Sequence, residues 1–143
     1  SRYESGLFVL GVVAKVDEPF GPTLGEKRKD ASPGQLARIE YLERELGCTK
    51  PLSDSVRYQL LHRTVSALLT ARAFHARNSV MMVQSFSPAS KWREDFDAFA
   101  VALTAKKLTA NLFKIKIKSG PQLFVGWCRG GEEYLEVDLP SGI

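Results

Sequence analysis

The sequence predicts a single α/β (α+β) domain, one mixed β-sheet flanked by helices. Three observations carry this. Apolar, partly branched runs at Leu7–Val16, Ser79–Phe86 and Gln122–Arg129 read as strands. Segments of helical periodicity lie between them, so the order is strand, helices, strand, helix, strand, strand. The 143 residues, 44% apolar and 25% charged, suffice for one substantial core and for one domain spanning residues 1–143.

Taken in order, Leu7–Val16 is rich in valine and leucine and is expected to be a strand buried on both sides. Asp17–Asp30 carries Pro19, Gly21, Pro22 and Gly25 and then a charge run, and reads as a loop. Ser32-Pro33 starts a helix that runs through Leu36, Ile39, Tyr41 and Leu42 to Gly47, with proline in the first turn where its missing N–H costs nothing. Asp54 or Ser53 is expected to cap a long helix over Ser55–Arg77. Asn78 breaks into the strand Ser79–Phe86. Ser87-Pro88 opens a further helix, on which Trp92, Phe96, Phe99, Ala100 and Leu103 form one apolar stripe. Phe113–Lys118 alternates apolar and basic residues as a half-exposed strand does. Gly120-Pro121 turns into Gln122–Arg129, and a short strand near Tyr134–Val137 follows. Trp92 and Trp127 sit in apolar periodic surroundings that suit a core better than a base-stacking platform.

The net charge is +4 and the isoelectric point about 9.2, a mild basicity that suits an anionic partner without requiring one. No apolar run approaches the roughly 18 residues needed to span a bilayer, so no membrane segment is expected. Lys15, Asp17 and Glu18 follow the first apolar run where a signal peptide would have a small-residue cleavage site. Cys48 and Cys128 are not spaced as metal ligands and read as reduced thiols of a cytoplasmic protein. The chain opens Ser1-Arg2-Tyr3 without an initiator methionine, which reads as a start trimmed from something longer.

The candidate chemistry begins at Lys15. Strand alternation puts Val13, Lys15 and Asp17 on one face. A lysine beside a carboxylate suits phosphodiester hydrolysis: the acid holds Mg²⁺, and the lysine steadies an attacking hydroxide or the developing phosphorane charge. A lysine snorkelling from a strand end is the competing explanation. On the long helix Gln59, Arg63, Ser66 and Thr70 share a polar face with His62 at its margin, opposite Leu60, Leu61, Val65, Leu68 and Ala71. Gln59 and Arg63, one turn apart, would orient a phosphate or a metal-bound water, unless that face is simply solvated. His62 and His75 read as structural, because nothing near them in sequence is spaced as a metal set. Lys27, Arg28 and Lys29, with Lys114, Lys116 and Lys118 on one face of a strand, would track phosphates. Strand lysines that discourage sheet pairing explain the second group equally well.

The stretches AKVDEPFG, RYQLLHRTVSALL, VQSFSP and GWCRG together resemble a bacterial restriction-endonuclease-like family within the PD-(D/E)XK nuclease superfamily. The resemblance runs from Leu7 to about Arg129 and is most specific in DEPFG and YQLLHR. It implies a restriction-endonuclease-like fold, a mixed sheet flanked by helices, with an acid on one strand and an acid-x-Lys motif on the next. It also implies Mg²⁺ as cofactor and DNA as partner, with a homodimer as a candidate assembly. Lys15 matches the motif lysine, Asp17 and Glu18 the acids after it, and Gln59 the supporting glutamine of the following helix. The sequence departs from the pattern where Val13 occupies the motif acid and Gly6 the preceding acid, with Glu4 close by. Three readings are open: Glu4 with Asp17 or Glu18 holds the metal, pieces of the fold lie outside this chain, or the protein is an inactive relative. The expected function is that of a Mg²⁺-dependent DNA endonuclease of host-defence type. Its catalytic residues would be Lys15, Asp17, Gln59 and Arg63, and its metal ligands Glu4, Asp17 and Glu18. The alternative is an inactive nuclease-fold module that binds DNA or a protein.

Overall fold

In a computed structural model of the chain, the structure describes residues 8–15, 18–87, 89 and 91–130. Five strands and four helices form one α+β unit in the order β1 (Phe8–Lys15), α1 (Leu24–Arg28), α2 (Pro33–Glu45), α3 (Tyr58–Ala73), β2 (Asn78–Ser85), α4 (Arg93–Ala102), β3 (Lys106–Thr109), β4 (Leu112–Ile115) and β5 (Gln122–Arg129). The sheet order is β1-β2-β5-β4-β3. The first three strands are parallel and in continuous register, so that Val13, Val83 and Trp127 form one row and Lys15, Ser85 and Arg129 the next. β4 and β3 complete the sheet as an antiparallel hairpin. The mixed sheet with flanking helices is therefore the fold the sequence predicts. Among the described residues no helix is long and apolar enough to cross a membrane.

The main core lies between the sheet and the helices. The sheet contributes Val13, Met81, Val83, Leu123, Val125 and Trp127, while α3 contributes Leu60, Leu61, Val65 and Leu68 and α4 contributes Phe96 and Phe99. α3 lies close over β1: a Cβ on Gly11 would sit 3.5 Å from that of Ala67. Rings tie α4 down, with the Phe96 centroid 5.5 Å from Trp127 and 5.9 Å from Phe113.

The helix ends show how local sequence sets these elements. Ser32 caps α2 in a reciprocal box with Gln35, and proline follows in the first turn. At its other end the Cys48 N–H donates to the Glu43 carbonyl and the Gly47 N–H to that of Arg44, a Schellman lock with Gly47 at φ 80°. The same pair of bonds ends α3 (Ala76 to Ala71, His75 to Arg72) and α4 (Ala105 to Ala100, Thr104 to Val101). There the left-handed position falls to His75 (φ 55°) and Thr104 (φ 54°). A β-branched residue in that region is strained by roughly 1 kcal/mol or more. Thr104→Gly is accordingly expected to stabilise the fold by about 1 kcal/mol, read as a rise in the denaturation midpoint at unchanged m-value. A loss of stability would show that Thr104 has a role beyond its backbone angle.

Several expectations are corrected. Phe8–Lys15 is not buried on both sides: among the described residues β1 is an edge strand, and Phe8, Leu10 and Val12 are 45%, 41% and 41% exposed. The loop expected over 17–30 contains α1, nucleated by Thr23 in a capping box with Glu26. α3 starts at Tyr58, and neither Asp54 nor Ser53 caps it. Asp54 pairs with Arg28, and the Ser53 hydroxyl accepts the Ser55 N–H. α4 starts at Arg93 rather than beside Ser87, after Trp92 in a left-handed conformation. β3 has no counterpart in the sequence reading, since Lys106–Thr109 is too short and polar to signal a strand. The strand expected near Tyr134–Val137 lies outside the described residues.

Candidate functional site

The DEPFG and YQLLHR stretches meet at the C-terminal end of β1. Phe20 is fully buried and anchors the segment after the strand. Gly21, at φ 81°, turns the chain, and its carbonyl accepts from the Arg57 guanidinium at 2.7 Å. The Tyr58 N–H donates to the Pro22 carbonyl, and the Leu24 N–H to that of Val56. Arg57 also pairs with Asp95 on α4 at 3.1 Å. The start of α3 is thus fixed against the loop that follows Lys15.

Lys15 ends β1 on the helix side of the sheet, in the row with Ser85 and Arg129. The C-terminal ends of parallel strands are where open α/β sheets place ligands. Lys15 is only 7% exposed; its Nζ donates to the Pro19 carbonyl at 3.3 Å and lies 5.3 Å from the Phe20 ring centre. Burial lowers its pKa below the ordinary lysine value. Glu18 acts in the opposite sense and Arg63 adds to the lowering. An amine in this setting is a strong donor to an incoming anion, because desolvation leaves its charge poorly compensated.

Other expected residues are placed unequally. Gln59 is half-buried on α3, and its Oε1 is buried without a hydrogen-bond partner. Arg63, one turn on, is exposed and makes no ion pair among the described residues. Glu18 is exposed. Asp17 and Glu4 lie outside the described residues. Val13, at the position of the motif acid, is 6% exposed and belongs to the main core. Ser66 and Thr70 face solvent, as the polar-face reading allows.

The basic residues differ in their surroundings. Arg28 is held by Glu43 at 2.9 Å, Asp54 at 2.7 Å and the Leu52 carbonyl at 2.9 Å, so its charge is already matched. Lys29 is exposed just after α1. Lys114 lies in β4 opposite Lys106, whereas Lys116 and Lys118 follow after the strand has ended at Ile115 and so share no strand face with it. Lys116 instead lines a cavity of about 490 Å³ with Leu46–Ser53 and Ala102–Thr104. A second cavity of about 470 Å³ lies beside Arg72, Arg77 and Gly120–Gln122, and neither is lined by Lys15, Gln59 or Arg63.

The structure also assembles a cluster that the sequence reading missed. The Arg38 Nε on α2 donates to the Tyr58 hydroxyl at 3.3 Å, and its Nη2 lies 3.4 Å from the His62 Nε2. Tyr58 and His62 stack with ring centres 5.8 Å apart, and the Lys27 Nζ lies 4.6 Å from the Tyr58 ring centre. No spacing announces a group drawn from three helices. The one available signal was the turn separating Tyr58 from His62.

As to a divalent metal, the expected residues that the structure describes offer two side-chain oxygen groups, the exposed Glu18 carboxylate and the orphaned Gln59 Oε1. No group of three or more His, Cys, Asp or Glu that would hold a metal occurs among the described residues. Mg²⁺ uses one or two carboxylates and completes its shell with water and substrate oxygens. Such a donor set suits an ion shared with a bound phosphate rather than a tightly held resident one.

No curated protein and no solved structure matches the chain. A family model, described as a domain of unknown function (DUF6946), matches residues 1–132. By that match, across nearly its whole length, the chain belongs to the DUF6946 family.

Proposed function

We propose that the chain is a restriction-endonuclease-like protein of the PD-(D/E)XK superfamily that acts on the phosphodiester backbone of DNA, in a cytoplasmic, host-defence setting. The observation that carries this reading is Lys15: a nearly buried lysine, lowered in pKa, at the C-terminal end of parallel strands, whose partner among the described residues is the Pro19 carbonyl. Lys15 donates to a non-bridging oxygen of the scissile phosphate and balances charge as it develops there. Arg63, which makes no ion pair among the described residues, grips the same strand from α3. The unpartnered Gln59 Oε1 accepts a hydrogen bond from the attacking water and orients it. Glu18, with Glu4 and Asp17, supplies the carboxylates for Mg²⁺, which when bound acts as Lewis acid and acidifies a water.

One observation favours a second reading. Val13 is packed into the core where the motif would put an acid, which suits a module that binds DNA without cutting it.

The deciding experiment incubates plasmid and linear DNA with the protein in Mg²⁺ and in EDTA, and measures DNA affinity against salt. Mg²⁺-dependent cutting by the wild type supports the enzyme. Salt-dependent binding without cutting supports the second reading, with log affinity falling in proportion to the phosphates contacted. Absence of DNA affinity at low salt overturns both.

A further inference from the structure

The Lys27–Arg38–His62 cluster gathers cationic groups where no carboxylate answers them. Arg28, Arg57, Arg72 and Arg93 each pair with an acid, but neither Arg38 nor Lys27 makes an ion pair among the described residues. Arg38 directs one N–H to the phenol of Tyr58 and one toward the imidazole of His62, and its other three donors remain for a ligand. Lys27 on α1 lies over the Tyr58 ring, so basic groups from three helices surround Tyr58. Arg63 links this cluster to Lys15, since its charge acts on both Lys15 and His62.

We propose that Lys27, Arg38 and His62 form a phosphate clamp, which takes a backbone phosphate of a nucleic-acid strand next to the one addressed by Lys15. The nucleic-acid part of this inference rests on the function proposed above; the clamp itself rests on the geometry. Arg38 supplies the planar fork, Lys27 a point charge, and His62 a third donor once protonated.

Protonation makes the clamp readable. With Arg38 donating to Nε2, the free-state imidazole is neutral at that atom. Burial, then Arg38 and Arg63, lower its pKa below the ordinary histidine value. The charges that act on it among the described residues are Arg38 from α2 and Arg63 from α3, with Tyr58 stacked on its ring and Lys27 from α1 over the Tyr58 ring. An anion held between them reverses the balance and raises the His62 pKa. The bound state then carries more protons than the free state, so affinity rises as pH falls through the window below about 6.5.

The test follows the imidazole resonances of the two histidines, His62 and His75, by NMR from pH 5 to 8 in EDTA. The protein is observed alone, with inorganic phosphate, and with a short single-stranded oligodeoxynucleotide. The expected result is a His62 pKa raised by about one unit with the oligonucleotide, equivalent to a tenfold gain in affinity for the protonated form, while His75 stays in place. Arg38→Gln is expected to abolish the shift, and Lys27→Gln to weaken oligonucleotide binding several-fold with both residues still folded around Tyr58. A His62 that does not respond, or responds only as much as His75, overturns the clamp. A response to inorganic phosphate but not to the oligonucleotide overturns its nucleic-acid assignment. DNA cleavage is a separate readout: a His62 response without cutting keeps the clamp and removes the nuclease, and cutting without a response does the reverse.

Discussion

Lys15→Met is expected to raise the melting temperature by about 3 °C while lowering DNA cleavage about 10²- to 10³-fold. The two effects have one cause. Lys15 is 7% exposed, and burial, the largest influence on its ammonium, holds its pKa down, so the folded state carries an incompletely compensated charge. Methionine fills the same stem volume without that charge, for a gain of roughly 1 kcal/mol after the lost bond to the Pro19 carbonyl. The sign can be checked with pH. Because the folded pKa is lowered, the unfolded chain binds more protons, and wild-type stability rises as pH passes from the lowered value toward the ordinary lysine value of 10.5. The advantage of the methionine variant is therefore full near neutrality and fades in alkaline solution. Functionally, the same charge is what a scissile phosphate would meet, and loss of one such electrostatic donor has a cost of the stated size. Equal cutting by both proteins would trace the activity to a contaminant and remove Lys15 from any catalytic role.

Phe96→Ala is expected to cost about 3–5 kcal/mol, a large share of the roughly 5–15 kcal/mol by which such a domain is stable. Phe96 is fully buried and touches the rings of Phe113 and Trp127, with the Arg93 guanidinium 5.4 Å from its own ring centre. Few neighbours there can collapse into the space, because Trp127 is fixed in the central row of the sheet. Phe96→Leu, which keeps much of the volume, is expected to cost about half as much. Urea unfolding with an unchanged m-value measures both, and a cost under about 1 kcal/mol would show that α4 is loosely seated. The loss also reaches the candidate site: α4 carries Asp95, whose partner Arg57 holds the Gly21 carbonyl.

What the sequence made legible follows from how local each determinant is. Ser32-Pro33 and Gly47 delimit α2 by contacts within a few residues, so its bounds could be read directly. Leu123–Cys128 is apolar because β5, central in the sheet, has side chains in a core on each face. β1 has a similar composition, yet its burial depends on a neighbour that the described residues do not supply. The start of α3 was misplaced because Asp54 and Ser53, good capping residues, are engaged with Arg28 and with the turn at Ser55. Lys15 and Gln59 were legible by strand alternation and by the resemblance. Arg38 was not, because its relation to Tyr58 and His62 exists only once α2 packs on α3. Nor does the run Lys27-Arg28-Lys29 announce that its members part: α1 turns Arg28 to Glu43 while Lys27 lies over Tyr58.

The parallel register of β1, β2 and β5 also governs how the chain reaches this state. β3, β4 and β5 are consecutive and antiparallel, and they can pair by closing short loops. β2 must then wait for β5, and β1 for β2, across helical crossovers whose closure entropy precedes any reward from pairing. The β1–β2 pairing bridges the largest sequence separation in the sheet, so the contact that buries Lys15 is expected to be the slowest to form.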